Sequence, residues 1–370
     1  MRCAITGGMG FIGSVLARRL LAAGHQVVLI DSLTEQIHGP DPDVVVPEGA
    51  AFIHGDVRDL ADNPDWIDGC EAVYHLAAET GTAQSMYRIR HYVDVNEGGT
   101  AALLEAIGQC AQRPKVVVLA SSRSVYGEGA YRSHDGSIVQ PEPRSREQLD
   151  SAQWDPRDDF GRPLEPIATP ETLGFAPGSV YAATKASQEL LLASAAEALG
   201  FRSVVLRFQN VYGEGQSLQN PYTGIISIFF NRARQGMMLP IYEDGLETRD
   251  FVHVKDIARA LEAALAENVP SGVVCNIGAG KATTVQDLAR GLCDAAGFSV
   301  PIETTGQFRV GDIRHNWAAM ENAARYLDFV PTISLEDGLK RFCQWAESQP
   351  VFADGLDKAT AELKKKGLAN

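Results

Sequence analysis

The stretch ITGGMGFIG directly follows a short apolar run at the start of the chain, and it constrains the fold more than any other feature. Gly7, Gly10 and Gly13 form a G-x-x-G-x-x-G series within it. The first glycine permits a tight turn at a strand end, the second lets the backbone approach a pyrophosphate, and the third allows close helix–sheet packing. The helix that begins at Phe11 and Ile12 offers unpaired N–H groups to the anion. The motif therefore predicts a strand, a phosphate-binding turn and a helix.

Short apolar runs alternate with helical stretches over the first 210 residues. The runs are CAIT, QVVLID, AFIHGD, AVYHLA, KVVVLASS and SVVLRF. Unbroken apolar runs of this kind are typical of parallel strands buried on both faces, with the intervening helices as crossovers. We expect these helices to begin near Ile12, Gln84 and Ser179. The pattern predicts an α/β fold with a Rossmann-type doubly wound parallel sheet.

Asp31 ends the second predicted strand, 18 residues after Gly13. A carboxylate at this position of a dinucleotide-binding fold accepts hydrogen bonds from both ribose hydroxyls of NAD, and it repels the 2′-phosphate of NADP. No arginine follows at once to bind such a phosphate. Asp31 could instead cap a helix or a turn, but together with the glycine series it predicts that the cofactor is NAD.

The pattern divides the chain into two regions. Residues 1–210 are predicted to form the NAD-binding domain, with an insertion at 127–178 that is rich in Pro, Gly, Arg and Asp. This insertion is too long for a simple loop, so we expect an ordered excursion at the rim of a site. Residues 211–370 continue with helices and short strands but without a second glycine series. They predict a smaller C-terminal substrate-binding lobe, interleaved with the first domain.

Charge and cysteine usage exclude several classes of partner. The formal net charge of −14 over 370 residues argues against nucleic acid or an anionic membrane, because both require a basic surface. The six cysteines show no metal-ligand spacing, so we expect no metal, no disulfide framework and reduced thiols in the cytoplasm. No apolar run approaches the ~20 residues that cross a bilayer. A strand starting at Arg2 leaves no room for a signal peptide.

The stretch SVYAATKASQELL places Tyr181 and Lys185 four residues apart, on one face of a predicted helix. Tyrosine is a poor base because its reference pKa is about 10, but a nearby ammonium group favours the phenolate. Ser122 ends the fifth predicted strand, where it can hydrogen-bond the same substrate oxygen. An isolated Y-x-x-x-K is more often a half-buried aromatic and a solvated charge. Together with Ser122 and the glycine series, the pair predicts an acid–base site that oxidises a secondary alcohol.

Several motifs in matching order give the chain its resemblance to a known family. They are TGGMGFIG, GDVRD, HLAA, Asn96, SSRSVYG, YAATK, LRFQNVYG and RDFVHVKD. With these motifs the chain resembles the nucleotide-sugar epimerases of the extended short-chain dehydrogenase/reductase family over nearly its whole length. The resemblance assigns further residues to NAD: Asp56 and Val57 beside the adenine, Leu76, Ala77 and Ala78 along the dinucleotide, and Asn96 and Ser121 near the nicotinamide, with Tyr181 and Lys185 also in contact.

The resemblance also implies which reaction follows the first oxidation. Sugar 4,6-dehydratases of this family resemble T-D-E-V-Y-G at the end of the fifth strand, and their Asp and Glu act on the sugar. UDP-glucuronate decarboxylases likewise carry a Glu there. This chain has Arg123 and Ser124 at the aligned positions. The expected reaction is therefore inversion at C4: Tyr181 takes the C4 hydroxyl proton, NAD takes the hydride, and the 4-keto sugar turns before the hydride returns.

Substrate contacts are implied by the same resemblance. Arg249 and Arg314 match positions of diphosphate-binding arginines, and a guanidinium suits paired phosphate oxygens; each could instead form a local ion pair. Gln84, Arg123 and the insertion are expected to line the sugar pocket. Asn210 and the stretch NPYTGI, which begins at Asn220, are expected to bracket the nucleotide and its base.

The resemblance favours a dTDP-deoxyhexose such as dTDP-L-rhamnose as the substrate. A UDP-hexose or a UDP-uronate remains an alternative, as does a net nucleotide-sugar reductase or dehydrogenase. A non-catalytic nucleotide-sugar binding protein on the same fold is a further alternative. Relatives dimerise through helices near Gln84–Ile107 and Ser179–Leu199, so a homodimer is expected.

Overall fold

The computed structural model describes residues 1–40, 42, 44–218, 220, 224–309, 311–352 and 354–366. Its strands in chain order are β1 (Arg2–Thr6), β2 (Gln26–Asp31), β3 (Ala50–His54), β4 (Ala72–His75), β5 (Val116–Ser122), β6 (Tyr131–Arg132), β7 (Ile138–Val139), β8 (Glu165–Pro166), β9 (Arg202–Phe208), β10 (Asn210–Tyr212), β11 (Leu239–Ile241), β12 (Thr248–Arg249), β13 (Phe251–His253), β14 (Val273–Ile277), β15 (Thr283–Thr284) and β16 (Ile302–Thr304).

The α-helices are α1 (Phe11–Ala22), α2 (Glu35–His38), α3 (Thr82–Ser85), α4 (Ile89–Tyr92), α5 (Gly99–Gln109), α6 (Arg146–Asp150), α7 (Val180–Leu199), α8 (Ile225–Arg234), α9 (Val254–Ala263), α10 (Val285–Ala296), α11 (Glu321–Leu327), α12 (Leu335–Glu347) and α13 (Leu356–Lys365). Short 3₁₀ segments cover Val57–Asp62, Pro64–Trp66 and Arg123–Tyr126, and a π-helical segment covers Val93–Gly98. Among the residues described, no helix is both long and apolar enough to span a bilayer.

A seven-stranded parallel sheet in the order β14-β9-β5-β4-β1-β2-β3 organises the molecule. The strand order reverses beside β1, whose neighbours are β2 and β4, so the sheet is doubly wound as predicted. Six of its strands are the predicted apolar runs. The seventh, β14, comes from the C-terminal half of the chain and pairs with β9 from Val273 to Ile277.

Helix boundaries follow from local capping. Helix α1 begins directly after Gly10, the second glycine of the series, and this N-cap makes no side-chain hydrogen bond, which leaves the first N–H groups of the helix for a ligand. Helix α7 begins as predicted after Ser179, whose Oγ accepts a hydrogen bond from the N–H of Ala182. It ends at Gly200, where φ is 78°. The predicted helix near Gln84 is instead broken into α3, α4, the π-helical segment and α5.

Both halves of the chain contribute to the core. Leu16 and Leu20 of α1 pack on one face of the sheet with Ile257 and Leu261 of α9. A separate apolar cluster around Phe230 joins α8, α10 and α12 into the smaller lobe. The predicted interleaving of the two regions therefore has a physical basis in shared packing.

The insertion carries an ordered structure of its own. Strands β7, β6 and β8 form a three-stranded antiparallel sheet, and Ser145 caps α6 by accepting a hydrogen bond from the N–H of Gln148. The backbone N–H of Thr169 donates to the carbonyl of Trp317 at 2.8 Å. These contacts attach the insertion to the C-terminal half of the chain.

Candidate active site

A cavity of about 620 Å³ lies at the carboxyl ends of the sheet strands. Its wall contains most of the residues predicted from the sequence: Gly7, Gly10, Phe11, Ile12, Gly13, Asp31, Asp56, Val57, Leu76, Ala77, Ala78, Ser122, Arg123, Tyr181, Asn210 and Asn220. The expected cofactor and reaction residues are thus brought together in one cleft. Residues 221–223 of the predicted base-binding stretch lie outside the described residues.

The glycine series and Asp31 are shaped for a dinucleotide. Gly7 has a φ of +68°, and a Cβ there would come within 2.8 Å of the backbone nitrogen of Ala77. A side chain at Gly13 would collide with the carbonyl oxygen of Gly7. The Asp31 carboxylate accepts hydrogen bonds from the N–H groups of Met9 and Leu33. The backbone is therefore open to an anion at the start of α1, with a carboxylate fixed at the end of β2.

Tyr181 and Ser122 meet in the middle of this cavity. Burial raises the pKa of Tyr181, while a hydrogen bond with Ser122 and the positive charge of Arg123 lower it. Ser122 in turn accepts hydrogen bonds from the N–H and the hydroxyl of Ser124, at 3.2 and 3.0 Å. Arg123 is half-buried, and burial together with repulsion from Arg249 lowers its pKa to about 9. The positive group that acts on the phenol is therefore Arg123.

Lys185 lies one helical turn from Tyr181 but behind the cavity wall. Its ammonium group donates a 2.9 Å hydrogen bond to the carbonyl of Ala120, at the end of β5. Burial lowers the pKa of Lys185 to about 8, opposed by the negative charge of Glu189. The predicted stabilisation of the Tyr181 phenolate by the Lys185 ammonium group is not seen among the contacts within the protein. In the structure Lys185 ties α7 to β5.

Two other predicted cofactor residues support the cavity from outside its lining. Asn96 accepts a hydrogen bond from the N–H of Glu79 and donates to the hydroxyl of Thr184, at 2.8 and 2.9 Å. It thereby joins the loop after β4 to α7. The hydroxyl of Ser121 donates a short hydrogen bond to the buried carboxylate of Glu189.

A second cavity, of about 260 Å³, adjoins the first in the smaller lobe. Arg123, Asn210 and Ile225 stand in the walls of both, so the two cavities lie side by side, and together they are called the cleft. The predicted Arg249 lines the second cavity, and its guanidinium donates to the carbonyls of Thr248, Ile313 and Arg314. The cleft therefore runs from the glycine series past Tyr181 to Arg249.

Arg309 lines the second cavity and was not assigned from the sequence. Its guanidinium lies 4.8 Å from the ring centroid of Tyr242, and its buried Nε has no hydrogen-bond partner among the described residues. It forms an ion pair with Asp312 at 4.0 Å. A guanidinium placed in this way can receive an anion. The only sequence signal for it is an arginine five positions before Arg314.

Arg314 does not line either cavity, contrary to its assignment as a direct diphosphate contact. It is 2% exposed, and its side chain forms ion pairs with Asp155 at 2.9 Å and with Asp244 at 2.6 Å. A further ion pair joins it to Glu243 at 3.1 Å. These carboxylates neutralise the guanidinium, so in this structure it holds the loop that carries Arg309.

Gln84 also lies outside the lining of both cavities. It is buried, exchanges hydrogen bonds with the amide group of Gln36, and accepts one from the hydroxyl of Tyr92. Its predicted contact with the sugar is therefore replaced by contacts that fix α3.

The C-terminal helix α13 closes part of the second cavity, which the sequence did not indicate. Leu356 and Leu363 are buried in its wall. Arg232 of α8 forms ion pairs with Asp354 and Asp357. These contacts place α13 against α8.

The model of the NAD dependent epimerase/dehydratase family matches residues 3–278. The chain belongs to this family. Its membership confirms that the chain is an NAD-dependent enzyme of the short-chain dehydrogenase/reductase type.

Several proteins similar to this chain are named for their action on nucleotide sugars. The dTDP-L-rhamnose 4-epimerase of Burkholderia thailandensis is 40% identical over 345 residues, which are 92% of this chain and 93% of the relative. The UDP-glucose 4-epimerase of Thermotoga maritima, solved with UDP-glucose, is 27% identical with a TM-score of 0.76 over 94% of this chain and 99% of its own. The UDP-glucuronic acid 4-epimerase of Bacillus cereus, in complex with UDP-glucuronic acid and NAD, is 26% identical with a TM-score of 0.75 over the same shares. These similarities confirm the predicted fold.

Proposed function

We propose that this enzyme inverts C4 of a nucleotide-activated sugar through a 4-keto intermediate. The observation that carries the proposal is the single cleft that joins the glycine series, Ser122, Tyr181 and Arg249. Arg123 and Ser124 occupy the end of β5 in this cleft, so no carboxylate is available there for elimination. This composition favours epimerisation over dehydration.

Each group in the cleft has a proposed role. Bound NAD accepts the C4 hydride and later returns it. Tyr181 takes the C4 hydroxyl proton and gives it back, and Ser122 hydrogen-bonds the same oxygen. Lys185, on α7, supports the nicotinamide side from behind the cavity wall. Arg249 and Arg309 suit the diphosphate, because both arginines line the second cavity.

The remaining proposed contacts follow the cleft outward. The cofactor contacts are those of the larger cavity, from Gly7 to Ala78. Asn96 and Ser121 are proposed to support the nicotinamide half through the loop after β4 and through α7. Asn210 and Asn220 are proposed to hold the nucleotide.

A dTDP-deoxyhexose such as dTDP-L-rhamnose is the proposed substrate. The 40% identity to an enzyme of that name over 92% of the chain supports this choice. The UDP-sugar relatives support a UDP-hexose or UDP-uronate as the second candidate, since they share the fold at 26–27% identity.

The test is a panel of dTDP- and UDP-sugars incubated with the purified enzyme, with products resolved by chromatography. We expect conversion to the C4 epimer with only catalytic amounts of NAD, and fastest with the dTDP-deoxyhexose. Stoichiometric consumption of NAD or NADH would instead identify a net dehydrogenase or reductase. No conversion of any sugar, with NAD and nucleotide still bound, would identify a binding protein.

We also propose that the enzyme works as a homodimer in the cytoplasm. All six cysteines are free and buried, which suits a compartment that keeps thiols reduced. An exposed apolar side of α7, which includes Leu190, supports the dimer.

A further inference from the structure

Glu247 is a buried acid in the wall of the second cavity. Its side chain is near β12, and the residue is 7% exposed. Its Oε2 has no hydrogen-bond partner among the residues that the structure describes. Burying a carboxylate without a partner is costly, so this oxygen marks a place where the protein alone leaves an interaction incomplete.

The other acids of this cavity are already paired. Glu243 accepts ion pairs from Arg144 at 2.9 Å and from Arg314 at 3.1 Å. Asp312 faces Arg309 at 4.0 Å. Glu247 is the acid with an unpartnered buried oxygen among those described in the cavity wall. Contacts within the lobe therefore do not explain why a carboxylate is buried at Glu247.

The chemistry of the ligand group that faces Glu247 follows from its neighbours. Arg249 and Arg309 suit a phosphate, whereas a carboxylate repels one. Glu247 must therefore face a neutral group that donates a hydrogen bond. The N–H of Val285 donates to the carbonyl of Glu247, so the chain is paired up to β12. Arg249 is two residues further along the chain, and its charge acts on the Glu247 carboxylate, so the donor at Glu247 adjoins the group at Arg249.

In a nucleoside diphosphate, the ring next to the phosphates is the pentose, and its donors are hydroxyl groups. We propose that Glu247 accepts a hydrogen bond from a pentose hydroxyl of the substrate nucleotide while Arg249 contacts the diphosphate. This assignment rests on the proposed function, since it requires a nucleotide in the second cavity.

The assignment has a consequence for pH. Burial raises the pKa of Glu247 to about 7, and Arg249 opposes the shift. The charged groups around it are Arg249 of the adjoining β12, Glu243 after β11, Arg314, Arg309 and Asp312 of the loop before the C-terminal helices, and Arg123 after β5. The deprotonated carboxylate only accepts hydrogen bonds, whereas the protonated carboxyl group also donates one. Nucleotide affinity should therefore rise between pH 6 and pH 8. Because Glu247→Gln has no proton to lose, the ratio of its affinity to that of the wild type isolates this effect from titration of the nucleotide.

The test is a thermodynamic cycle measured by titration calorimetry on the NAD-loaded enzyme at pH 8. UDP and 2′,3′-dideoxy-UDP are titrated into the wild type, Glu247→Met and Glu303→Gln, in which the replaced acid is exposed on β16. We expect loss of the hydroxyls to weaken binding about tenfold or more in the wild type and in Glu303→Gln. In Glu247→Met the same loss should change affinity by less than about twofold.

Each other outcome overturns the assignment. If both nucleotides bind the wild type equally, the donor is not a pentose hydroxyl, and a base N–H is indicated. If the hydroxyls matter equally in the wild type and in Glu247→Met, another residue binds them. In both cases the proposed function stands because nucleotide binding is retained. If neither nucleotide binds, dTDP and its 3′-deoxy analogue replace them in the same cycle; if dTDP does not bind either, the proposed function fails and the assignment fails with it.

Discussion

Tyr181 is the residue on which the proposed chemistry depends most directly. Its phenol lines the cavity beside Ser122 and under the charge of Arg123. Tyr181→Phe removes the group that exchanges the C4 proton but keeps the ring, so kcat should fall about 10³-fold. Affinity for NAD, measured by fluorescence titration, should stay within about twofold because the glycine series is untouched.

The matched control for this substitution is Tyr326→Phe, which removes a hydroxyl from a half-buried tyrosine outside both cavities. It should leave kcat unchanged. Full turnover in Tyr181→Phe would contradict the acid–base role and shift attention to Ser122.

Local sequence motifs predicted the residues expected to contact the cofactor. The places of the arginines in the other half of the chain depend instead on pairing between residues far apart in the sequence. The glycine series, Asp31 and Tyr181 act through their own turn, strand end and helix, so their spacing in the sequence is informative. Arg309 and Arg314 sit five positions apart in one loop, and nothing local distinguishes them. Their roles depend on Asp155 and on the acids after β11, which neutralise Arg314 and leave Arg309 facing the cavity.

The insertion acts as one element through Arg144. This arginine has a side chain only 1% exposed, and it bridges Glu128 at 3.2 Å and Glu243 at 2.9 Å. It also donates to the carbonyl of Asp312 at 2.7 Å. The insertion therefore holds the loop that carries Arg309, which gives the predicted rim element a physical role in the substrate lobe.

Arg144→Met should destabilise the protein by about 3–5 kcal/mol, because it removes the cation from the buried Glu128 carboxylate and one of the two cations that pair with Glu243. Denaturant unfolding measures this loss, and limited proteolysis should show earlier cleavage within 127–178. Arg146→Met is the control, since Arg146 is half exposed and pairs only with Asp150; it should change stability by less than about 1 kcal/mol. Equal stability of the two variants would show that the buried cluster does not anchor the insertion.

Among larger elements, buried strands were predictable and helix interruptions were not. The six apolar runs form strands of the sheet because parallel strands bury both faces. Strand β14 was not predicted because its short run VVCNI lies far along the chain from the other strands of the sheet. Only its pairing with β9 shows that it belongs to this sheet. The break between α3 and α5 lacks a proline, so no residue in the sequence marked it.

In the whole molecule, packing crosses residue 210, where the sequence predicted a division between two regions. Strand β14 completes the edge of the main sheet, and α9 packs on α1. Residues after 210 are therefore part of the hydrophobic core in which α1 packs on the main sheet. The cleft lies where the two regions meet, so the same packing that interleaves them also fixes Tyr181 relative to Arg249.

The outer side of α7 bears on the predicted homodimer. Leu190 is 57% exposed, and Ala183, Ala193 and Ala198 on the same helix are also exposed. Ile89, at the start of α4, is 52% exposed. Small and apolar side chains allow two helices to approach closely, and an exposed apolar side of this kind is typical of an interface.

A charge placed on this side should separate the two copies. We expect the wild type to have twice the chain mass in sedimentation equilibrium at micromolar concentration, and Leu190→Glu to have the mass of one chain, because two carboxylates would meet without partners across the interface. Glu197→Gln changes an exposed residue of the same helix and should remain a dimer. Monomeric Leu190→Glu should still bind NAD, since the cavity contains no residue of the outer side of α7. A wild type that sediments as a single chain, or a Leu190→Glu variant that stays dimeric, would place any interface elsewhere.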